Sequence, residues 1–306
     1  MAVTASLILF GRSVLAAIQY QEYFQNILFF GLIGCILLWV AKSRGYFTLP
    51  YTPDKKNSIV NFQTVLIVFA IYLGMTMLVA PVGLYVIKST FALFSRKNLP
   101  IAVLGWVQMF TLSGIFLLFY LYSKTKAPGF FKKIWKDRSI PSSKPILTDF
   151  LMGVMTWFIS FPLVIAVGQL ADVLLYYFFG FENYEQVAVR YLKTTLGSPP
   201  MLAVALFTIL LAAPMIEEFL FRGCLQTFFK RYFTPKGAII LSALCFSLFH
   251  FAPSQGIGNV SLVATLFLFA LFLGFIYERQ ASLFASIGLH MMFNTVSTCR
   301  ILFFPE

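Results

Sequence analysis

MLAVALFTILLAAPMIEEFLFRGCLQTFF, residues 201–229, is apolar enough to enter a bilayer, yet its middle carries Glu217, Glu218 and Arg222. An α-helix needs about 20 residues to cross the roughly 30 Å hydrocarbon layer, and this run is long enough. Seven further apolar runs resemble it in length, at about 23–41, 64–87, 99–122, 149–171, 237–252, 259–277 and 282–304. The whole chain agrees: 59% of its 306 residues are hydrophobic and 11% charged, against about a quarter charged in soluble domains. Long runs without alternation indicate helices rather than barrel strands, since a helix satisfies its own backbone. The expected fold is all-α, a polytopic membrane helix bundle of about eight transmembrane helices.

The net charge of +12 does not point to nucleic acid, because the basic residues collect in loops between spans. Lys42, Arg44, Lys55 and Lys56 follow the first span, Lys124 to Lys144 the third, Lys230, Arg231 and Lys236 the fifth, and Arg279 the seventh. The opposite loops hold only Lys88, Arg96, Lys97, Arg190 and Lys193. The positive-inside rule makes the first set cytoplasmic and both termini non-cytoplasmic, in an integral, multi-pass protein of the plasma membrane. Residues 1–145 form an N-terminal membrane region of three spans, preceded by a segment whose apolar stretch Arg12 interrupts. That interruption favours an interfacial helix over a signal peptide. The basic loop 124–145 suits an anionic bilayer surface. It leads into a C-terminal membrane region, 146–306, which holds nearly all the polar residues out of place. Residues 180–200 have helical polar and apolar spacing, which predicts a short amphipathic helix on the outer face. Cys35, Cys224, Cys245 and Cys299 sit inside spans with no metal-ligand spacing and read as small packing residues.

Charges at membrane depth mark function or a buried pair. Glu218 and Arg222 are four apart on one helical face and can pair. Glu217 is turned about 100° away, so no partner exists for it on its own helix. Pro214 frees a carbonyl upstream and can kink the span. The chain's two histidines, His250 and His290, also fall within spans, and His290 shares a face with Asn294. Counted from the cytoplasmic ends at 1.5 Å per residue, Glu217, His250 and Asn294 all lie about 20 Å deep, with His290 and Arg222 a turn shallower. One shared, wet site explains that coincidence.

A carboxylate beside an imidazole favours direct attack of water on a carbonyl, because withdrawal from water makes a carboxylate a stronger general base. A histidine can protonate the leaving amine, while the Asn294 amide and a His290 N–H offer donors to an oxyanion. No nucleophile-base pattern supports covalent catalysis. Zinc stays open, with Glu217, His250 and His290 as its ligand set, although no HExxH occurs.

EEFLFRG, FSLFH and HMMFN match the EExxxR, FxxxH and HxxxN motifs, and over about 200–304 the chain resembles the CAAX-processing and bacteriocin-processing (CPBP, ABI) intramembrane endopeptidases. This is the family of the type II CAAX prenyl endopeptidase. The resemblance implies a hydrolase with no cofactor, in which Glu217 and His250 activate water and His290 and Asn294 form the oxyanion side. Glu218 and Arg222 would support the site, and Phe246 would wall its cavity or simply pack. It implies as partners the lipid bilayer and a peptide or protein substrate, lipidated in some relatives. The alternatives are a proton-coupled transporter, for which no inverted repeat is visible, and a non-catalytic scaffold or bacteriocin-immunity protein.

Overall fold

The computed structural model describes residues 2–49, 60–94, 102–125, 129–136, 145–180 and 186–304, with the side chains of 2–20, 93, 94, 102, 130 and 131 excepted. Lys55, Lys56, Arg96, Lys97, the stretches 137–144 and 181–185, and the side chain of Arg12 therefore lie outside the described residues. What is described is helical, with a single isolated bridge between Lys136 and Ser282 as its extended pairing.

In chain order the helices are α1 (Ala2–Ser43), α2 (Phe62–Leu73), α3 (Ala80–Phe94), α4 (Ala102–Thr125), α5 (Phe130–Trp135), α6 (Ile146–Phe179) and α7 (Val187–Thr195). There follow α8 (Pro199–Phe207), α9 (Ala213–Glu218), α10 (Thr227–Phe229), α11 (Pro235–Phe249), α12 (Asn259–Gln280) and α13 (Leu283–Phe303). π turns at Gly74–Val79, Thr208–Ala212 and Phe219–Gln226 join α2 to α3, α8 to α9 and α9 to α10 without breaking the rods. Asn61 caps α2 by accepting from the Thr64 amide at 2.8 Å. The predicted amphipathic helix is present as α7, with Leu192 and Thr195 buried.

Among the described residues, six helical stretches are long and apolar enough to cross a membrane: Gln21–Ser43, Phe62–Ala92, Val103–Thr125, Ile146–Phe179, Pro199–Phe229 and Pro253–Gln280. The helical membrane bundle is as expected, while the count of eight spans is not confirmed: two helices differ from these six. α11 has 15 residues, or about 22 Å, which is short of the hydrocarbon thickness. α13 has the length, but its Ser, Thr, His, Asn and Arg side chains dilute it, and much of its first half is buried in protein. α1 continues without interruption from the predicted interfacial segment into the first span.

The chain divides into two compact units. The first comprises Met1–Thr48, Thr156–Glu185 and Ala243–Phe272. Here α1 meets α6 where a Cβ on Gly34 would lie 2.5 Å from Leu163, and Phe30 sets its ring edge-on against Phe161. Further along α6, Gly168 lets α12 approach: its carbonyl accepts from Ser261.

The second unit comprises Leu49–Met155, Gln186–Ser242 and Leu273–Glu306. Its closest helix crossing is glycine-mediated. A Cβ on Gly153 would stand 1.9 Å from the Ala285 carbonyl oxygen, and one on Gly288 would stand 2.4 Å from the Phe150 carbonyl. α6 and α13 thus touch backbone to backbone, as small residues permit in membrane proteins. Ion pairs gather one end of this unit: Lys136 with buried Asp149, Lys230 with Glu278 at 3.1 Å, and Arg231 donating to the Val60 carbonyl. The basic segments grouped from sequence at 124–136, 230–236 and 279 therefore share one end of this unit.

Because backbone cannot retreat as a side-chain tip can, Gly153→Val and Gly288→Val are each expected to lower stability by about 1–3 kcal/mol or more. Gly31→Ala, whose Cβ would rest 4.0 Å from Ala166, should leave it unchanged. SDS-unfolding midpoints of the purified protein check this.

Candidate active site

The span that opened the sequence is not a uniform α-helix. Within Thr208–Ala212 the register slips to i→i−5, and the Ala213 amide donates to the Thr208 carbonyl. In that register the next donor, to the Ile209 carbonyl, should come from residue 214. Residue 214 is proline and has no N–H. The orphaned oxygen finds a donor 85 residues away, where Asn294 Nδ2 donates to Ile209 O at 2.8 Å. Asn294 therefore anchors α13 to the span that bears the glutamates, and one of its two amide hydrogens is committed there.

One turn beyond Pro214, the two glutamates separate as helix geometry requires. Glu218 is fully buried, and its Oε1 accepts from two sides. Arg222, also fully buried, donates through a terminal guanidinium nitrogen at 3.0 Å, and His290 Nδ1 lies 2.9 Å away. An oxygen that accepts from both leaves the His290 proton on Nδ1. The Nε2 of that ring faces Glu217, 3.9 Å from its Oε2. Glu218 thus does more than brace Arg222: it sets the orientation and tautomer of His290. A ring held this way is an acceptor at Nε2 when neutral and donates to an oxyanion only as an imidazolium.

Glu217 faces a different space. It lies on the wall of a cavity of about 450 Å³, lined also by Tyr72, Thr76, Gln108, Thr111 and Thr208 among apolar side chains. These polar residues come from α2 and its π turn, from α4 and from the π turn after α8, so residues before 145 build most of the wall. The first π turn repeats the device of the second. The Ala80 amide donates to the Met75 carbonyl, and Pro81 follows it without an N–H.

The second histidine, His250, belongs to the first unit, at the end of α11. Its Nδ1 meets the Phe246 carbonyl at 2.9 Å, four residues back, and its ring lies 4.6 Å from that of Phe246. As the carbonyl can only accept, Nδ1 carries the proton and Nε2 is left as a base. Phe246 itself is buried. Beyond His250 the chain turns sharply, and Asn259 holds the turn by accepting from the Ala252 amide at 2.9 Å and donating to the Ala252 and Gly256 carbonyls. Of the residues singled out from sequence, Glu217, Glu218, Arg222, His290 and Asn294 share the second unit, while Phe246 and His250 stand together in the first. Among the described residues no trio of His, Cys, Asp or Glu is gathered closely enough to hold a metal ion. The four cysteines are free.

The family described as Type II CAAX prenyl endopeptidase Rce1-like matches residues 199–296. Over that stretch the chain is similar to a family of CAAX-type membrane proteases. No curated protein and no solved structure matches it. The Rce1-like domain begins at the first turn of α8 and ends within α13, so it contains every motif residue named above. Tyr72, Gln108, Thr111 and Tyr191 lie outside it. Gln108 did carry a signal, as a carboxamide in an otherwise apolar span, while Asn259 carried none, because an Asn after a Gly-rich turn reads as an ordinary loop residue.

Removing one partner of a fully buried ion pair strands the other, so Glu218→Ala is expected to cost about 3–5 kcal/mol. Asn294→Leu should cost about 1–3 kcal/mol through the stranded Ile209 carbonyl. Pro214→Ala, which restores the missing N–H, should recover part of that loss in the double variant. Unfolding midpoints of the four proteins give the coupling energy; strict additivity would break the link between Pro214 and Asn294.

Proposed function

We propose that this protease is glutamate-dependent, with Glu217 as the general base that removes a proton from the attacking water. The observation that carries the reading is the pairing of positions: Glu217 lies on a cavity wall at mid-span, and His290, oriented by Glu218, points its Nε2 at it. Water oxygen bonds to the scissile carbonyl carbon as Glu217 accepts its proton, giving a tetrahedral oxyanion. The second amide hydrogen of Asn294 and a protonated His290 Nε2 serve that oxyanion. The C–N bond then breaks, and the leaving nitrogen takes the proton that Glu217 accepted from the water. His250, the base expected from the FSLFH motif, holds its Nδ1 at the Phe246 carbonyl, so Nε2 is the nitrogen that can accept a proton. No step calls for a metal.

The substrate in this reading is a membrane-associated protein or peptide, lipidated as in CAAX-type processing, cut at membrane depth. The basic end of the second unit faces the cytoplasm of a plasma-membrane protein by the positive-inside rule, and both termini are non-cytoplasmic.

Glu217→Gln and His250→Ala are each expected to lower kcat by about 10²-fold or more, with the folded state retained. Cleavage by the purified variants, followed by mass spectrometry of new termini, measures this. Wild-type turnover in Glu217→Gln would end the glutamate mechanism.

A further inference from the structure

The cavity beside Glu217 has few donors on its walls, chiefly the Tyr72 hydroxyl and the Gln108 amide. The hydroxyls of Thr76, Thr111 and Thr208 each donate back into their own helices, to the carbonyls of Tyr72, Val107 and Val204. Gln108 is the lining residue whose side chain bears N–H groups. Its orientation is dictated by neighbours. Thr208 Oγ1 has given its hydrogen to Val204, so it accepts from Gln108 Nε2 at 3.0 Å. The Gln108 Oε1 therefore turns to Tyr191, whose hydroxyl donates to it. Burial holds the Tyr191 hydroxyl above the ordinary phenol range, so it stays a donor at neutral pH. Three helices thus clamp one carboxamide, and its second Nε2 hydrogen has no partner among the described residues.

Thr208 precedes Glu217 by nine positions on one continuous rod, about 13 Å at helical rise. An extended peptide covers that distance with about four residues at 3.3 Å each. An apolar groove admits such a chain only if the peptide's own oxygens meet donors. We propose that Gln108 is a substrate-positioning residue: its free amide hydrogen binds a peptide oxygen about four residues from the bond placed at Glu217. Tyr191, on the extramembrane helix α7, keeps the amide turned for this task. The groove accordingly runs from Glu217 towards the end of the second unit opposite its basic loops. The proposal rests on the reading of Glu217 as the general base. The oxygen belongs either to a main-chain carbonyl or to a terminal carboxylate.

The test is a library of apolar octapeptides, and the same peptides shortened from either end, digested by the purified protein. Wild type should cut better, by about three- to tenfold in kcat/KM, when the chain reaches four residues from the cleaved bond on one side. In Gln108→Leu that increment should vanish through KM, with kcat unchanged and short peptides cut as before. Tyr191→Phe should lose part of it and add nothing to Gln108→Leu. C-terminal amidation should abolish the increment if the oxygen is the terminal carboxylate and leave it intact if it is a main-chain carbonyl. An increment that persists in Gln108→Leu, or a kcat that falls equally for long and short peptides, overturns the proposal. Glu217→Gln separates the two readings: cleavage that survives there removes the general base, whatever Gln108 does. No cleavage of any peptide by wild type overturns both.

Discussion

One carboxylate oxygen, Oε1 of Glu218, organises the site. It is fully buried, and it takes an Arg222 guanidinium from its own helix and the His290 ring from α13. A pair buried this deeply costs much to desolvate and is not a strong source of stability. Its effect is specificity: with both donors engaged, the imidazole has one orientation and one tautomer, and its Nε2 faces Glu217. The adjacent glutamates have opposite tasks because a 100° turn sends one into protein and the other to a cavity.

A second constraint is the backbone accounting of a proline inside a membrane helix. In the bilayer an unpaired carbonyl has no solvent to turn to. The π register before Pro214 moves the orphaned carbonyl to Ile209, and Asn294 answers it. An arrangement of this kind ties α13 to the glutamate-bearing rod at the level of the chemistry. It also commits one amide hydrogen of Asn294 to holding the fold. The glycine crossing of α6 and α13 serves the same end from the other side, since α13 can reach the glutamates only if its backbone lies close to α6. The geometry around the two glutamates is thus secured by contacts that are individually ordinary.

Much of this was legible in advance. Long apolar runs dictated helices in a membrane, because nothing else satisfies the backbone there. The i,i+4 spacing dictated the Glu218–Arg222 pair. The estimate of eight spans went beyond what length and apolarity support. α11 is short and α13 is polar, and a sequence window weighs apolarity without asking whether lipid or protein will cover it.

What the chain determined by itself is local: helical rise, the face each residue shares with those three or four away, and the orphan created by a proline. What only the tertiary structure decided is which distant group answers each local demand. Glu218 and His290 are 72 positions apart, Asn294 and Ile209 are 85, and Gln108 and Tyr191 are 83. No periodicity encodes such meetings, because they depend on how packed helices are rotated about their axes. A side chain's neighbour on another rod is fixed by that rotation, and the rotation by the packing of all the rods together.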